Sequence, residues 1–255
     1  MMDKRYAKIL FYTLRSSLVV VQKDARIYYL KPPVIIFGIL FPVFFFLAFS
    51  LGREIVPDVL VPGLISMTLF FTSSSVGPLI TPWERNAKTY ERLLASPLSL
   101  TSILLGDMLA GVIFGIIISL VPLLTGIFIF KAEVFHPFLL AGGVILSAFC
   151  FSSLGTLLAA PATEAPSQIM MLSALVRFPL IFISGIFIPV EMLPFWGKAI
   201  AFISPLTFTT DIIRDSLYQK GFYPSSLNLT VLFLFSFFFF VLALKLHRKN
   251  ILKFN

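Results

Sequence analysis

Across 255 residues there is a single cysteine, Cys150, inside an apolar run, so no disulfide can form within the chain and no cysteine-based metal site can be built. Its simplest role is inert packing. Charge is also scarce, at 13% of residues. No G-x-x-x-x-G-K-[ST] run occurs, so this polypeptide has no P-loop to cradle nucleotide phosphates. His136 and His247 fall near the ends of apolar segments without a companion at ligand spacing, which argues against a metal site. Paired catalytic groups at membrane depth are missing too. Arg177 reads as the one strongly charged residue in mid-segment, which disfavours an intramembrane enzyme.

What the chain has in excess is hydrophobic. Apolar residues make up 58% and Phe alone numbers 30, with a mean hydropathy of +0.97. That composition lies outside the soluble globular range and specifies an all-α integral membrane protein. The net charge of +8 could suggest nucleic acid. The basic residues, however, sit at the edges of apolar segments rather than in a patch interleaved with aromatics, so no nucleic-acid partner is expected and charge reports topology.

Crossing roughly 30 Å of hydrocarbon takes about 20 helical residues. Six runs qualify: 34–51, 59–80, 102–130, 137–160, 168–188 and 227–244. Pro42, Pro78, Pro122 and Pro179 lie within them, which packed membrane helices tolerate. Gly106, Gly111, Gly115, Gly142, Gly143 and Gly155 offer surfaces for close helix approach. Lys and Arg divide unevenly between the two sides. Seven precede the first run, three lie in the loop 81–101 and four in the C-terminal tail, against five on the alternate side (Arg53, Lys131, Lys198, Arg214, Lys220). Both termini and the 81–101 loop are therefore expected in the cytoplasm, and 189–226 outside.

Residues 1–33 lack an uninterrupted apolar run of leader length and read as an amphipathic helix in the membrane surface rather than a cleaved signal. Ile9, Leu10, Leu14, Leu18 and Val21 fall near one face, and Lys4, Lys8, Arg15 and Gln22 near another. Such a helix would anchor to membrane lipid and orient the first span.

The loop 81–101, TPWERNAKTYERLLASPLSLT, is the one strongly polar interruption between two long apolar segments. Trp83, Ala87, Tyr90 and Leu94 step by four, three and four onto one helical face, with Glu84, Arg85, Lys88, Glu91 and Arg92 around it. Thr81-Pro82 is expected to open this helix and Ser96-Pro97 to stop it. On pattern alone it is either a solvated loop helix or a surface for a partner.

The segment 189–226 is apolar, yet Pro189, Pro194, Pro205 and Pro224 cut it into pieces too short to span. A re-entrant helical hairpin dipping into the outer leaflet fits. Thr72, Ser73, Ser74 and Ser75 either line a polar path or bond the preceding turn's carbonyls. Arg177, about 13 Å into its run at 1.5 Å per residue, either meets an anionic group or snorkels towards the headgroups.

Two motifs carry a family resemblance. Glu84, Arg85, Thr89, Glu91, Arg92, Leu93, Leu94, Ser96 and Pro97 form E-R-x-x-x-T-x-E-R-L-L-x-S-P, which resembles the cytoplasmic coupling segment of ABC-2 type transporter permeases. The Gly often found before the Thr there is Lys88 here, expected to stiffen the helix. Ser184-Gly185-Ile-Phe-Ile-Pro189, Leu193-Pro194-Phe195-Trp196 and Pro205-Leu206-Thr207-Phe208, ending at Asp211 and Arg214, resemble the same family's external hairpin in order and spacing. With the surface helix, comparable to the family's elbow helix, the resemblance covers almost the whole chain. It implies one transmembrane domain over 1–255, the permease subunit of an exporter. A homodimer would work with separate ATPase subunits that bind the ATP and Mg, this chain holding no cofactor.

The ATPase-coupling residues implied are Trp83, Glu84, Arg85, Tyr90, Glu91, Arg92 and Leu94. A substrate pathway would touch Arg177, Ser184, Gly185, Ser73 and Ser74. The alternatives are a non-transporting membrane scaffold and an intramembrane enzyme.

Overall fold

The computed structural model describes residues 2–27 and 56–251 except 162 and 164, with single positions at 36, 40, 43, 44 and 48. Regular structure among the described residues is all helical: α1 (Met2–Ile27), α2 (Pro57–Asn86), α3 (Thr89–Ala95), α4 (Leu100–Phe128), α5 (Pro137–Leu158), α6 (Pro166–Phe182), a 3-10 turn at Val190–Met192, α7 (Phe195–Ala201), α8 (Pro205–Tyr218) and α9 (Ser225–Ile251). Four of these, α2, α4, α5 and α9, are long and apolar enough to cross a membrane. The protein is a membrane protein.

The helix starts follow from local sequence. Proline stands in the first turn of α2, α5, α6 and α8, where its missing N–H is one of the groups a helix leaves unbonded anyway. At α4 the Ser99 side chain caps instead, accepting from the Ser102 amide at 3.0 Å.

The expected run 34–51 lies outside the described residues. The expected run 168–188 is a helix of only 17 residues, about 25 Å long at 1.5 Å per residue. It stops at Phe182 because the chain turns at Gly185, whose φ of +78° is left-handed and whose missing Cβ makes room for Val190.

α2 is the central element, with 83% of its most apolar stretch buried against 17% for α9. It packs on α4, α5, α6 and α8, whereas α9 lies against α5 and α8 and leaves Phe233, Leu234, Phe237 and Phe238 exposed, as a lipid-facing surface should be. Small residues let α2 sit so deep. A Cβ on Gly77 would stand 2.8 Å from the Gly155 carbonyl of α5, so the two backbones touch. Gly111 and Gly115 of α4 make the same room for Ser73. Around this crossing Phe70 meets Phe151 edge-on, ring centroids 4.9 Å apart.

α1 lies on the first turns of α4. Its packed stripe is Ser17, Val20 and Asp24, with the Ser17 hydroxyl donating to the Ser102 carbonyl at 2.9 Å. Leu14 and Leu18 point away from the protein, as a helix that buries its apolar face in a membrane surface requires. The side chains of Lys4, Lys8, Ile9 and Leu10 lie outside those described.

Replacing Gly77 by Val should force α2 and α5 apart at a contact with no slack, a destabilisation of about 1–3 kcal/mol for overpacking. The thermal midpoint of the purified protein in detergent should fall by several degrees, whereas Gly142→Ala, at a position with nothing within 4 Å, should leave it in place.

Candidate functional site

Sequence periodicity places one helix over 82–95, opened by Thr81-Pro82. The structure differs. α2 runs unbroken through Pro82 to Asn86. At about 45 Å for 30 residues it outreaches the hydrocarbon layer, so its last turn emerges as the start of the loop. The break comes at Lys88, which takes a left-handed φ of 54°. Its amide bonds the Arg85 carbonyl at 2.9 Å, and the Thr89 hydroxyl donates to the Glu84 carbonyl at 3.1 Å. Lys88 therefore does not stiffen a helix. It occupies a position where glycine costs less, since a Cβ in this conformation costs roughly 1 kcal/mol.

The corner divides the expected coupling residues into two sets. Trp83 (46% exposed), Lys88, Glu91 and Arg92 face outward and Leu94 is half-buried. Glu84 is 2% exposed and Tyr90 is buried. Glu84 thus belongs to the interior rather than to a charged outer face. Its Oε1 accepts from Lys23 Nζ at 2.5 Å, and Lys23 also pairs with Asp24 at 3.0 Å. Asp107, buried in the second turn of α4, completes the group.

Three carboxylates from three helices thus surround one ammonium. Burial alone would lower the Lys23 pKa, but Asp107, Asp24 and Glu84 together outweigh it and hold the group above the usual lysine value. Burial raises the Asp24 carboxyl above its ordinary value, with Lys23 offsetting only part of the effect. The Tyr90 phenol is pushed up to about 12 by burial and then by the Asp107 charge.

This cluster was not apparent from the sequence. Asp24 and Lys23 look like part of a surface helix, and Asp107 passes for a residue at a span's edge. The available signal was the acid itself, six residues beyond Thr101 in an otherwise apolar run.

Arg85 is the second fastening. Its Nη1 donates to the Pro161 carbonyl and its guanidinium lies 5.3 Å from the Tyr90 ring centroid. Nearby, His247 Nε2 meets the Thr156 carbonyl at 3.0 Å and Asn250 Nδ2 donates to the Ala160 carbonyl at 2.7 Å. Three side chains from α2 and α9 thereby bond carbonyls at and just beyond the end of α5, that of Pro161 being shared with the Thr163 amide. His247 serves as this cap. Among the described residues no group of His, Cys, Asp and Glu is arranged to hold a metal ion.

Deeper in the protein, the hydroxyls of Thr72, Ser74 and Ser75 bond carbonyls of the preceding turn, Thr72 to Thr68 at 2.6 Å. Ser73 faces the α4 glycines. All four are buried between helices. Ser184 bonds the Ile181 carbonyl at 2.6 Å, beside the Gly185 turn.

Arg177 is 6% exposed and reaches sideways rather than towards the headgroups, donating through Nη2 to the Ser74 carbonyl. Pro78, four residues on, has no N–H to give that carbonyl. The arginine fills the vacancy that the proline creates.

In the 189–226 segment the prolines delimit the elements as expected: Pro189 precedes the 3-10 turn, Pro194 precedes α7 and Pro205 opens α8. Phe195, Trp196 and Ile203 are exposed, whereas α8 is buried. Asp211 accepts from the amides of Phe222 and Tyr223 at 2.7 and 2.9 Å and from Asn228 at 2.8 Å, fixing the entry to α9. Arg214 stands 3.8 Å from Glu191. The residues carry the hairpin's structure.

Four long apolar helices, packed with α1 and a helical corner, define a polytopic α-helical membrane protein. Residues 15–218 match the family described as "ABC-2 type transporter", and the chain belongs to that family. Over 166 residues it is 28% identical to the probable multidrug ABC transporter permease YbhR of Escherichia coli strain K12, and equally to its counterpart in Escherichia coli O157:H7. The alignment covers 63% of this chain and 43% of each relative. The chain spans less than half the length of the curated relatives it matches.

Lys23→Met should strip three buried carboxylates of their one counter-charge, at a cost on the order of 3 kcal/mol. The deficit should shrink as pH falls. A carboxyl whose folded pKa lies above its unfolded value, as for Asp24, binds its proton first in the folded state, so acid restores stability down to the ordinary carboxylate range. Thermal midpoints of wild type and Lys23→Met should converge as the pH is lowered from neutral towards the ordinary carboxylate range. Adding Glu84→Gln should recover part of the loss.

Proposed function

We propose that this chain is the membrane subunit of an ATP-driven exporter. Six spans per chain, with 34–51 the first and 168–188 the fifth, would form a homodimer in the cytoplasmic membrane, served by separate ABC ATPase subunits that carry the ATP and Mg. Both termini and the corner at 81–101 lie in the cytoplasm and the 189–226 hairpin outside, as the division of basic residues favours. A substrate from the cytoplasm or inner leaflet is released outward.

The observation that carries the reading is the two-sided corner. Its outward side presents Trp83, Glu91 and Arg92 to a docking partner, while its inward side is fastened by Glu84 to α1 and by Arg85 to the loop after α5. A push on α3 then moves these helices together. A scaffold would have no use for a surface so coupled to the spans.

Two measurements test this. Exchanging the outer charges, Glu91→Arg with Arg92→Glu, reverses the docking pattern and leaves the internal pairs intact. ATPase stimulation in the reconstituted complex should drop about tenfold, the effect of ~1.4 kcal/mol at the contact. A double variant that assembles and transports as wild type would remove the coupling role. For orientation, Lys198→Cys in a Cys150→Ala background should react with an impermeant thiol reagent from outside intact cells. Labelling only from the cytoplasmic side would invert the topology.

A further inference from the structure

Between α2 and α6 lies a cavity of about 120 Å³. Phe71, Pro78, Leu79, Met170 and Ala174 give it an apolar lining, and its polar groups converge from Ser75, Ser173 and Arg177. Ser75 is spoken for by the Thr72 carbonyl. Ser173 and Arg177, at i and i+4 on one face of α6, are not. The Ser173 hydroxyl and Arg177 Nε are buried and have no hydrogen-bond partner among the described residues, and no carboxylate there pairs with the guanidinium.

A side chain that only repaired the Ser74 carbonyl would require neither a cavity beside it nor a second buried donor facing the same space. A cation within the membrane-spanning part costs several kcal/mol unless neutralised, and the Ser74 carbonyl supplies one hydrogen bond but no charge. The missing component is an anion. Guanidinium geometry suits a carboxylate or phosphate, which can take two parallel N–H bonds. The size agrees as well. A dry cavity of about 150 Å³ holds benzene, so this one holds a headgroup and its first carbons rather than a whole large amphiphile. The rest of the molecule continues along the apolar outer face of α6, where Met171 and Leu175 are exposed.

We propose that this cavity binds the anionic headgroup of an amphiphile, a carboxylate or phosphate held by Arg177 and Ser173 with its hydrocarbon along α6. The site stands whether or not the chain is an exporter, since it rests on local charge and space alone.

The test reconstitutes the full-length chain in phosphatidylcholine vesicles carrying one of three spin-labelled probes: stearate, phosphatidylglycerol or phosphatidylcholine. An immobilised spectral component beyond that of labelled phosphatidylcholine is expected for at least one anionic probe. A preference for phosphatidylglycerol marks a bilayer-lipid site, and a preference for stearate marks a single-chain acid. Arg177→Gln should weaken the anionic component about tenfold, with Arg177→Lys intermediate.

Because Arg177→Gln also abandons the Ser74 carbonyl and could unfold the chain, Ala174→Phe provides an independent variant. It fills the cavity while keeping the guanidinium, and it should abolish the component with the thermal midpoint retained. Wild-type anion binding by Ala174→Phe, or phosphatidylcholine immobilised as strongly as both anions, overturns the proposal.

Discussion

The contact on which the rest of the structure depends is the backbone approach of α2 to α5 at Gly77 and Gly155. In a membrane there is little hydrophobic drive between helices, because lipid is as apolar as a leucine side chain, so association has to come from close packing and from polar groups that find partners. Glycine at this crossing supplies the first. It brings α2 near enough for α4 to seat Ser73 against Gly111 and Gly115, and for α6 to reach the Ser74 carbonyl through Arg177. α2 is consequently the most enclosed of the long helices although it is the least apolar of the four. Its Ser and Thr residues are tolerated because each either turns its hydroxyl onto the preceding turn or lies against a neighbouring helix.

Pro78 and Arg177 belong to the same arrangement. A proline inside a buried helix leaves a carbonyl without its donor, and in hydrocarbon that vacancy has to be filled from elsewhere. Here the donor is a cation, which transfers the difficulty from an unbonded carbonyl to an uncompensated charge. The end of the bundle at the 81–101 corner shows the opposite balance, with three acids near one lysine. Each place has a net charge that the described residues do not cancel, positive beside the α2–α6 cavity and negative beneath the corner. Neither is surplus to packing, since apolar residues would have filled both spaces at less cost.

The sequence was legible where periodicity and composition decide the outcome. Long apolar runs became α2, α4, α5 and α9, and prolines marked the elements of 189–226. Three kinds of information were not legible. The run 168–188 was long enough by count, but the length of α6 is set by a left-handed turn at Gly185, which hydropathy does not register. The helix at 82–95 read as continuous because Trp83, Ala87, Tyr90 and Leu94 share a period. A chain break at Lys88 leaves that period nearly intact, and only the backbone angle reveals it. The burial of Glu84 depended on residues far away in the chain, Lys23 and Asp107, whose meeting no local pattern encodes.

The division of charges at the corner gives it a fastened inner face and a charged outer one. A helix that is only solvated would place Glu84 and Arg85 in water, where an ion pair contributes less than about 1 kcal/mol and holds nothing still. Placed inward, the same residues join three segments: α1 through the Glu84–Lys23 pair, and α3 and the loop after α5 through Arg85. The left-handed Lys88 then ends the course of α2 and starts α3 in a new direction, so the two Glu-Arg pairs come to lie on different sides of one corner. Rigidity at the inner face and charge at the outer face are distinct requirements, and the motif E-R-x-x-x-T-x-E-R meets them with its two Glu-Arg pairs, one turned each way.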